Sequence, residues 1–333
     1  MENKNIPWIE KYRPVKIEDV IADENILIEM NNIIKNKNIP NMIFTGTPGI
    51  GKTTTILCIA HKLYGKYMKD AVLELNASDD RGIKTINNGI VGDFCNHKLS
   101  YADDDKNKYA QHKLIILDES DNMTEKVLPL ISNLMDVYHK TTRFVFTCNT
   151  SSKIIESIQS RCKIIRFMRL NLDMLTNRLE RILIIENQNK IKNKIKYDKE
   201  SLKEIATLSG GDMRYSINLL QLISDRFGNI TLKNISILCD YPSYEIIAKI
   251  FNLIKNKNIK DALIESYKLK ETGYSVNDIF TTMFQFLKSS NELIDEEYKM
   301  NILYILSNYL YNISKFTDTD INLTAFVLEA CKI

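Results

Sequence analysis

The eight residues Gly46 to Thr53, "GTPGIGKT", fit the pattern GxxxxGK[ST] directly after an apolar run and before a helical pattern. Glycines there let backbone N–H groups curl around phosphate oxygens. Lys52 then reaches the terminal phosphates, and Thr53 offers its hydroxyl to Mg²⁺ at the positive end of the helix. Further along, "KLIILDESD" ends a buried-strand pattern in Asp118 and Glu119. Carboxylates leaving the carboxyl end of a parallel strand fall beside the neighbouring phosphate loop. Asp118 there holds the metal through water and Glu119 polarises an attacking water; a plain acidic helix cap is the alternative, and Asp121 suits that role. "RFVFTCN" ends in Asn149, an amide able to bond both the γ-phosphate and the lytic water, although an Asn ending a strand is also an ordinary turn residue. Arg161 in "SIQSRCKIIRF" and Arg214 in "GGDMRYSINLLQ" are either surface arginines or suppliers of the charge that phosphoryl transfer needs. The chemistry these types and spacings could perform is phosphoryl transfer from ATP with Mg²⁺.

Such groups need a scaffold that brings strand ends to one edge. "NMIFTG", "AVLELN", "KLIILDE" and "RFVFTCN", with a short strand after Arg161, alternate with helical patterns such as "KTTTILCIAHKLY". That order implies crossover units and a parallel sheet. Ile56, Ile59, Ala60 and Leu63 recur at helical spacing, so one helix face packs on the sheet. After Phe167 the strand signal fades into helical patterns, with Ser209-Gly210-Gly211 as a stop and Asp212 as an N-cap for the restart. The polar stretch from Glu186 to Lys199 reads as a loop between helices, and everything from Ser243 onward reads as helix. The expected division is 1–167 for a nucleotide-binding domain, 168–230 for a helical lid and 231–333 for a helical collar.

The chain has 333 residues, more than one hydrophobic core usually supports, so two or three domains are expected. No apolar run is long enough to span a bilayer, and no membrane role is expected. The opening "MENKNIPWIEKYRP" lacks the basic-then-apolar order of a secretory signal, which leads to the expectation of a reducing compartment. The cysteines Cys58, Cys95, Cys148, Cys162, Cys239 and Cys331 lie far apart with no CxxC, which argues against zinc and against a disulfide framework. A formal charge of +3 is too small to diagnose nucleic acid by itself.

"PWIEKYRP", "GTPGIGKTT", "LELNASDDRGI", "LDESDNMT", "KIIESIQSRC" and "GDMRYSINLLQ" occur in the order and approximate spacing of the boxes that define the small subunits of replication factor C, the clamp loader of the AAA+ family. The chain resembles that family, in its eukaryotic form, over most of its first 225 residues. The resemblance implies an α/β then all-α architecture: a P-loop module with a parallel five-stranded sheet, a small helical lid and a C-terminal helical collar used in oligomerisation. It implies that Ile9, Tyr12, Arg13, Val20 and Ile21 line the adenosine pocket. The phosphates are then held by Gly46, Thr47, Pro48, Gly49, Ile50, Gly51, Lys52, Thr53 and Thr54. Asn149 and Arg214 become the two nucleotide sensors, and Arg161 becomes an arginine finger acting in trans on the adjacent subunit.

The same resemblance gives "ASDDRGI" a role. It ends the second strand and starts a helix, and in clamp loaders such helix N-termini track a DNA strand. Backbone N–H groups, a helix dipole and a local cation suit phosphates and read no bases, which makes Arg81 and Lys84 the DNA-backbone candidates. The alternative is local: Asp79 and Asp80 cap the helix and Arg81 pairs with one of them. Where the family has basic residues after this box, the chain has "IKTINNGIVGDF", and the Arg-Arg pair after the acidic motif is replaced around "LPLISNLMD". The acidic insertion Asp103 to Asp105 is expected to face solvent or the sliding clamp. Ser120 and Ser157 stand where the family usually has Ala and Pro.

The expected function is therefore that of an ATPase subunit of a heteropentameric clamp loader in the nucleus, working with its sister subunits, a sliding clamp and primer-template DNA. Two alternatives stay open. One is a nucleotide-binding structural subunit of this or a checkpoint-type loader that donates an arginine finger. The other is an unrelated AAA+ DNA remodeller such as a branch-migration motor.

Overall fold

The computed structural model describes residues 6–76, 89–97, 99–102, 105, 108–124, 126–189, 194–238, 242, 244–289, 296–315 and 320–333. Arg81, Lys84, Asp79, Asp80, Asp103 and Cys239 lie outside the described residues. The chain divides into two compact units, Met1–Ile230 and Thr231–Ile333.

In the first unit, strands β1 (Met42–Thr45), β2 (Val72–Asn76), β3 (Lys113–Asp118), β4 (Thr142–Cys148) and β5 (Lys163–Arg166) form one sheet in the order β2-β3-β4-β1-β5. All its pairings are parallel. Parallel strands need crossovers, and the crossover helices cover both faces, which is why the central strands read as unbroken apolar runs. All four residues of β1 and the first five of β3 are buried. One face packs on helices Glu24–Asn36 and Lys52–Tyr64 through Met30, Ile33, Ile56, Ile59, Ala60 and Leu63. The other packs on helices Ile90–Asn96 and Val127–Val137 through Val91, Cys95, Val127, Leu128, Ile131 and Met135. Cys58, Cys95, Cys148 and Cys331 are buried free thiols and Cys162 is half-buried.

Register sets the functional edge. Thr45 pairs with Cys148 and Leu117 with Phe146, so β1, β3 and β4 end level, and the phosphate loop, Asp118-Glu119 and Asn149 leave the sheet side by side.

Helices Leu172–Asn189, Lys199–Leu208 and Met213–Phe227 follow the sheet. Asp212 caps the last of these by accepting from the Tyr215 N–H at 3.0 Å, and Asp198 caps the preceding one through Ser201. The stretch Glu186 to Lys199, whose polarity suggests a loop, is regular at both ends, and residues 190–193 lie outside the described residues. The first helix continues through Asn189, and Lys196–Tyr197 form a short strand parallel to Asn229–Ile230. Inward-facing Leu179, Ile182, Leu183 and Glu186 carry the burial past the point where the sequence turns polar. Asn187 closes the connection by bonding both the N–H and the C=O of Ile195.

The second unit is helical throughout its described residues. Helices Tyr244–Lys255, Ile259–Glu271, Val276–Ser289, Glu296–Lys315 and Asp320–Ala330 enclose one apolar core around Ile250, Phe280, Met283, Leu306 and Phe326. Among the described residues, no helix is long and apolar enough to cross a membrane.

Candidate functional site

The phosphate loop runs from β1 into helix Lys52–Tyr64, whose first residue is Lys52. The lysine is 8 % exposed, and its Nζ donates to Gly46 O at 2.7 Å, Thr47 O at 2.9 Å and Asn149 Oδ1 at 3.3 Å. Burial lowers its pKa, opposed by Cys148, Asp118 and Asp121 and reinforced by Arg214. A desolvated ammonium held mainly by carbonyl oxygens at a helix N-terminus favours a nearby anion.

Thr53 stands one residue on, and its hydroxyl donates to Asp118 Oδ1 at 3.0 Å and Oδ2 at 3.1 Å. The buried Thr147 hydroxyl on β4 also donates to Asp118 Oδ1. Asp118 is thus fixed by side chains from two neighbouring elements. Glu119 follows with φ +53, a left-handed conformation unusual for a residue with a Cβ. That turn takes Glu119 out of the strand and leaves its side chain exposed in the cleft, while Asp118 stays half-buried. Ser120 is fully buried, and its hydroxyl is satisfied by Leu117 O at 2.7 Å.

Asp121 does not cap a helix. It lies inside the short 3₁₀ turn Ser120–Asn122, and its Oδ2 accepts from the Asn149 N–H at 3.3 Å. Its Oδ1 is a buried acceptor with no partner among the described groups. Asn149 therefore bridges the acidic turn through its backbone and Lys52 through its side chain.

A single cleft gathers Ile9, Tyr12, Arg13, Val20 and Ile21 with Pro48 to Thr54, Asp118, Glu119, Asn149 and Arg214. Gly46 and Thr47 do not line it, although their carbonyls hold Lys52. Arg161 lies elsewhere, paired with Asp136. Arg81 and Lys84 lie outside the described residues, so the structure gives them no placement.

The cleft also contains residues that the sequence reading passed over: Asp19, Leu170, Arg178, Met213 and Ile217. Arg178 comes from helix Leu172–Asn189 and donates to Tyr12 O at 2.8 Å; burial lowers its pKa. From the same helix, Glu186 is 4 % exposed and accepts from Tyr12 Oη at 2.6 Å and Lys11 Nζ at 2.7 Å. The Trp8 N–H donates to Gln221 on helix Met213–Phe227. The short N-terminal helix Trp8–Lys11 is therefore tied to the helical layer while its Ile9 and Glu10 face the cleft. No local motif marks Arg178 or Glu186; each is one charged residue in a charged amphipathic helix.

The side of the cleft against helix Met213–Phe227 is set by Gly49, at φ +73. Its carbonyl accepts from the Met213 N–H at 3.1 Å, and a Cβ there would sit 1.9 Å from Asp212 Oδ1. Only glycine lets the phosphate loop approach the helix carrying Arg214 so closely.

The residues present fit a nucleoside triphosphate: a cradled loop, a poorly neutralised lysine and a half-apolar recess on the far side. Among the described residues, no three His, Cys, Asp or Glu side chains gather for a metal ion. A Mg²⁺ ion here would take Thr53 and Asp118 from the protein and the rest of its oxygens from phosphate and water.

Comparison with known proteins agrees with this geometry. Residues 42–170 match the model of the "ATPase family associated with various cellular activities (AAA)", and residues 242–329 match the "Replication factor C C-terminal domain". The chain is 38 % identical over 328 residues to a probable replication factor C subunit 2 of Dictyostelium discoideum, covering 98 % of this chain and 93 % of that one. It is 34 % identical over 328 residues to a replication factor C small subunit of Methanothermobacter thermautotrophicus, covering 97 % of each. A Thermotoga maritima RuvB structure shares the fold, with a TM-score of 0.54 and 16 % identity over 73 % of this chain and 79 % of that one. With an AAA module carrying this cleft and a matched C-terminal helical domain, the chain belongs to the replication factor C small-subunit family.

Proposed function

We propose that this chain is an ATP-hydrolysing subunit of a clamp loader, which with its sister subunits opens a sliding clamp and places it on primer-template DNA in the nucleus. The observation that carries this reading is the convergence of Lys52, Thr53, Asp118, Glu119 and Asn149 at one strand edge, with Arg161 outside that cleft. In this reading residues 1–167 bind nucleotide, 168–230 form the lid that places Arg214, and 231–333 form the collar. Arg81 and Lys84 follow the DNA backbone.

Each side chain has a task that its position suits. Lys52 and Asn149 neutralise and orient the γ-phosphate. Glu119, turned into the cleft, accepts a proton from water as the water oxygen bonds to the γ-phosphorus and the bond to the bridging oxygen of ADP breaks. Mg²⁺, when bound near Thr53 and Asp118, screens charge on the phosphate oxygens. Arg161 of an adjacent subunit supplies the remaining positive charge.

The test is the rate of ATP hydrolysis by the isolated chain against the assembled complex with clamp and primed DNA. Arginine fingers are worth on the order of 10³ or more in rate, so the isolated chain is expected to be far slower. Equal rates overturn the reading.

A further inference from the structure

Arg161 leaves the turn after the short helix Glu156–Gln159, just before β5. Its Nε–H donates to Asp136 Oδ1 at 2.7 Å, its Nη2 to Asp136 Oδ2 at 2.9 Å, and its Nη1 to the Ser157 carbonyl at 2.6 Å. Asp136 is the penultimate residue of helix Val127–Val137, on a different element. The side chains are 38 % and 55 % exposed, and an ion pair in that setting adds little to stability. Its value lies in geometry. A bidentate bond along one side of the guanidinium fixes the plane of the group, and the Ser157 carbonyl fixes its rotation.

A guanidinium has five N–H groups. Three are used here, which leaves one on Nη1 and one on Nη2, a fork matched to two oxygens of a phosphate. Lysine could not be held in this way, because an ammonium has no plane to fix. The Ser157 contact comes from backbone, so Asp136 is the only side chain in this arrangement that substitution can remove.

We propose that Asp136 is a positioning residue for Arg161, holding the guanidinium side-on so that its remaining two N–H groups are already oriented for a phosphate bound by a neighbouring subunit. This rests on the reading of Arg161 as a finger acting in trans. The mutual effects of the pair point the same way: the hydrogen bond from Arg161 lowers the Asp136 pKa, and Asp136 raises that of Arg161, so both remain charged around neutral pH.

The experiment uses the assembled complex carrying Asp136→Asn, Asp136→Glu, Arg161→Ala or the Asp136→Asn/Arg161→Ala pair in this subunit, with kcat and KM for ATP measured at saturating clamp and primed DNA. Asparagine keeps the shape but cannot accept two charge-assisted bonds. It is expected to lower the kcat contributed by the neighbouring site by up to about 10²-fold, the scale of a misplaced reacting group, with KM unchanged. Glutamate is expected to restore part of the rate, and the double variant is expected to match Arg161→Ala alone. A slow Arg161→Ala complex with wild-type turnover in Asp136→Asn overturns the positioning role and spares the finger. An unchanged rate in Arg161→Ala overturns both. Losses that add in the double variant, or a changed KM in Asp136→Asn, show Asp136 acting other than through Arg161 and also overturn the proposal. Complex assembly is followed by gel filtration, and a variant that fails to assemble leaves Asp136→Glu to decide.

Discussion

The Tyr12 hydroxyl donates to Glu186 at 2.6 Å across 174 positions of sequence, joining the N-terminal segment that lines the nucleotide cleft to the helical layer behind it. Lys11 shares the same carboxylate oxygen, and the Trp8 and Tyr12 rings meet edge to face at 6.2 Å. Glu186→Ala would leave the Tyr12 hydroxyl and the Lys11 ammonium without this acceptor, a loss of about 1–3 kcal/mol. The expected result is lower stability in urea unfolding together with several-fold weaker ATP binding. Trp8 is the single tryptophan and is 6 % exposed, so its emission reports the release directly by shifting to the red. An unshifted emission spectrum would show that Glu186 does not hold the segment.

Lys52→Ala and Glu119→Gln are expected to fail differently. The first removes the buried cation at the loop and weakens nucleotide binding. The second keeps the shape of a side chain exposed in the cleft but loses the charge that polarises water, so ATP stays bound and turnover falls. Equilibrium binding of a labelled ATP and single-turnover hydrolysis separate the two. Equal loss of binding in both variants contradicts the assigned roles.

Gly49→Ala places a Cβ against the Asp212 carboxylate at a backbone angle that L residues rarely adopt. Either the loop shifts or the Asp212 cap is lost, for about 1–3 kcal/mol of stability and at least tenfold in nucleotide affinity, since the wall carrying Arg214 moves with it. Gly92→Ala is the control. It lies within helix Ile90–Asn96 with nothing within 4 Å of an added Cβ, and alanine there is expected to be neutral or slightly stabilising. Calorimetric midpoints of the two variants and wild type, with and without ATP, give the comparison.

His112 is 6 % exposed beside the ring of Tyr64, and burial, reinforced by Arg143, lowers its pKa to about 4. The unfolded chain binds a proton near pH 6.5 while the folded one does not. Stability from this group is therefore complete above about pH 6.5 and declines as pH falls toward 4, by up to about 3 kcal/mol. His112→Phe removes that term. The difference in unfolding free energy between wild type and variant, measured from pH 7.5 to 4.5, is expected to shift against the wild type as pH falls; a constant difference shows that His112 titrates normally.

Much of this molecule is written locally. The phosphate loop, the apolar strands ending in Asp118 and Cys148, and the cap at Asp212 each depend on residues within a few positions of one another, where backbone preference and hydrophobic period act directly. The family boxes carry the same kind of information, and the parallel five-stranded sheet was legible from them. Other features were settled only by packing. Glu186 sits in a stretch whose polarity reads as a loop, yet the helix continues because the buried face of Leu179, Ile182 and Leu183 extends to it, and its charge is met by Lys11 and Tyr12 from the far end of the unit. Asp121 has the sequence position of a cap but bonds the Asn149 N–H, because parallel register sets the ends of β3 and β4 side by side. Arg178 and the Asp136 partner of Arg161 are invisible for the same reason. A side chain's partner across two elements is chosen by how those elements pack, and that free energy is spread over the whole core rather than stored in the few residues around either partner.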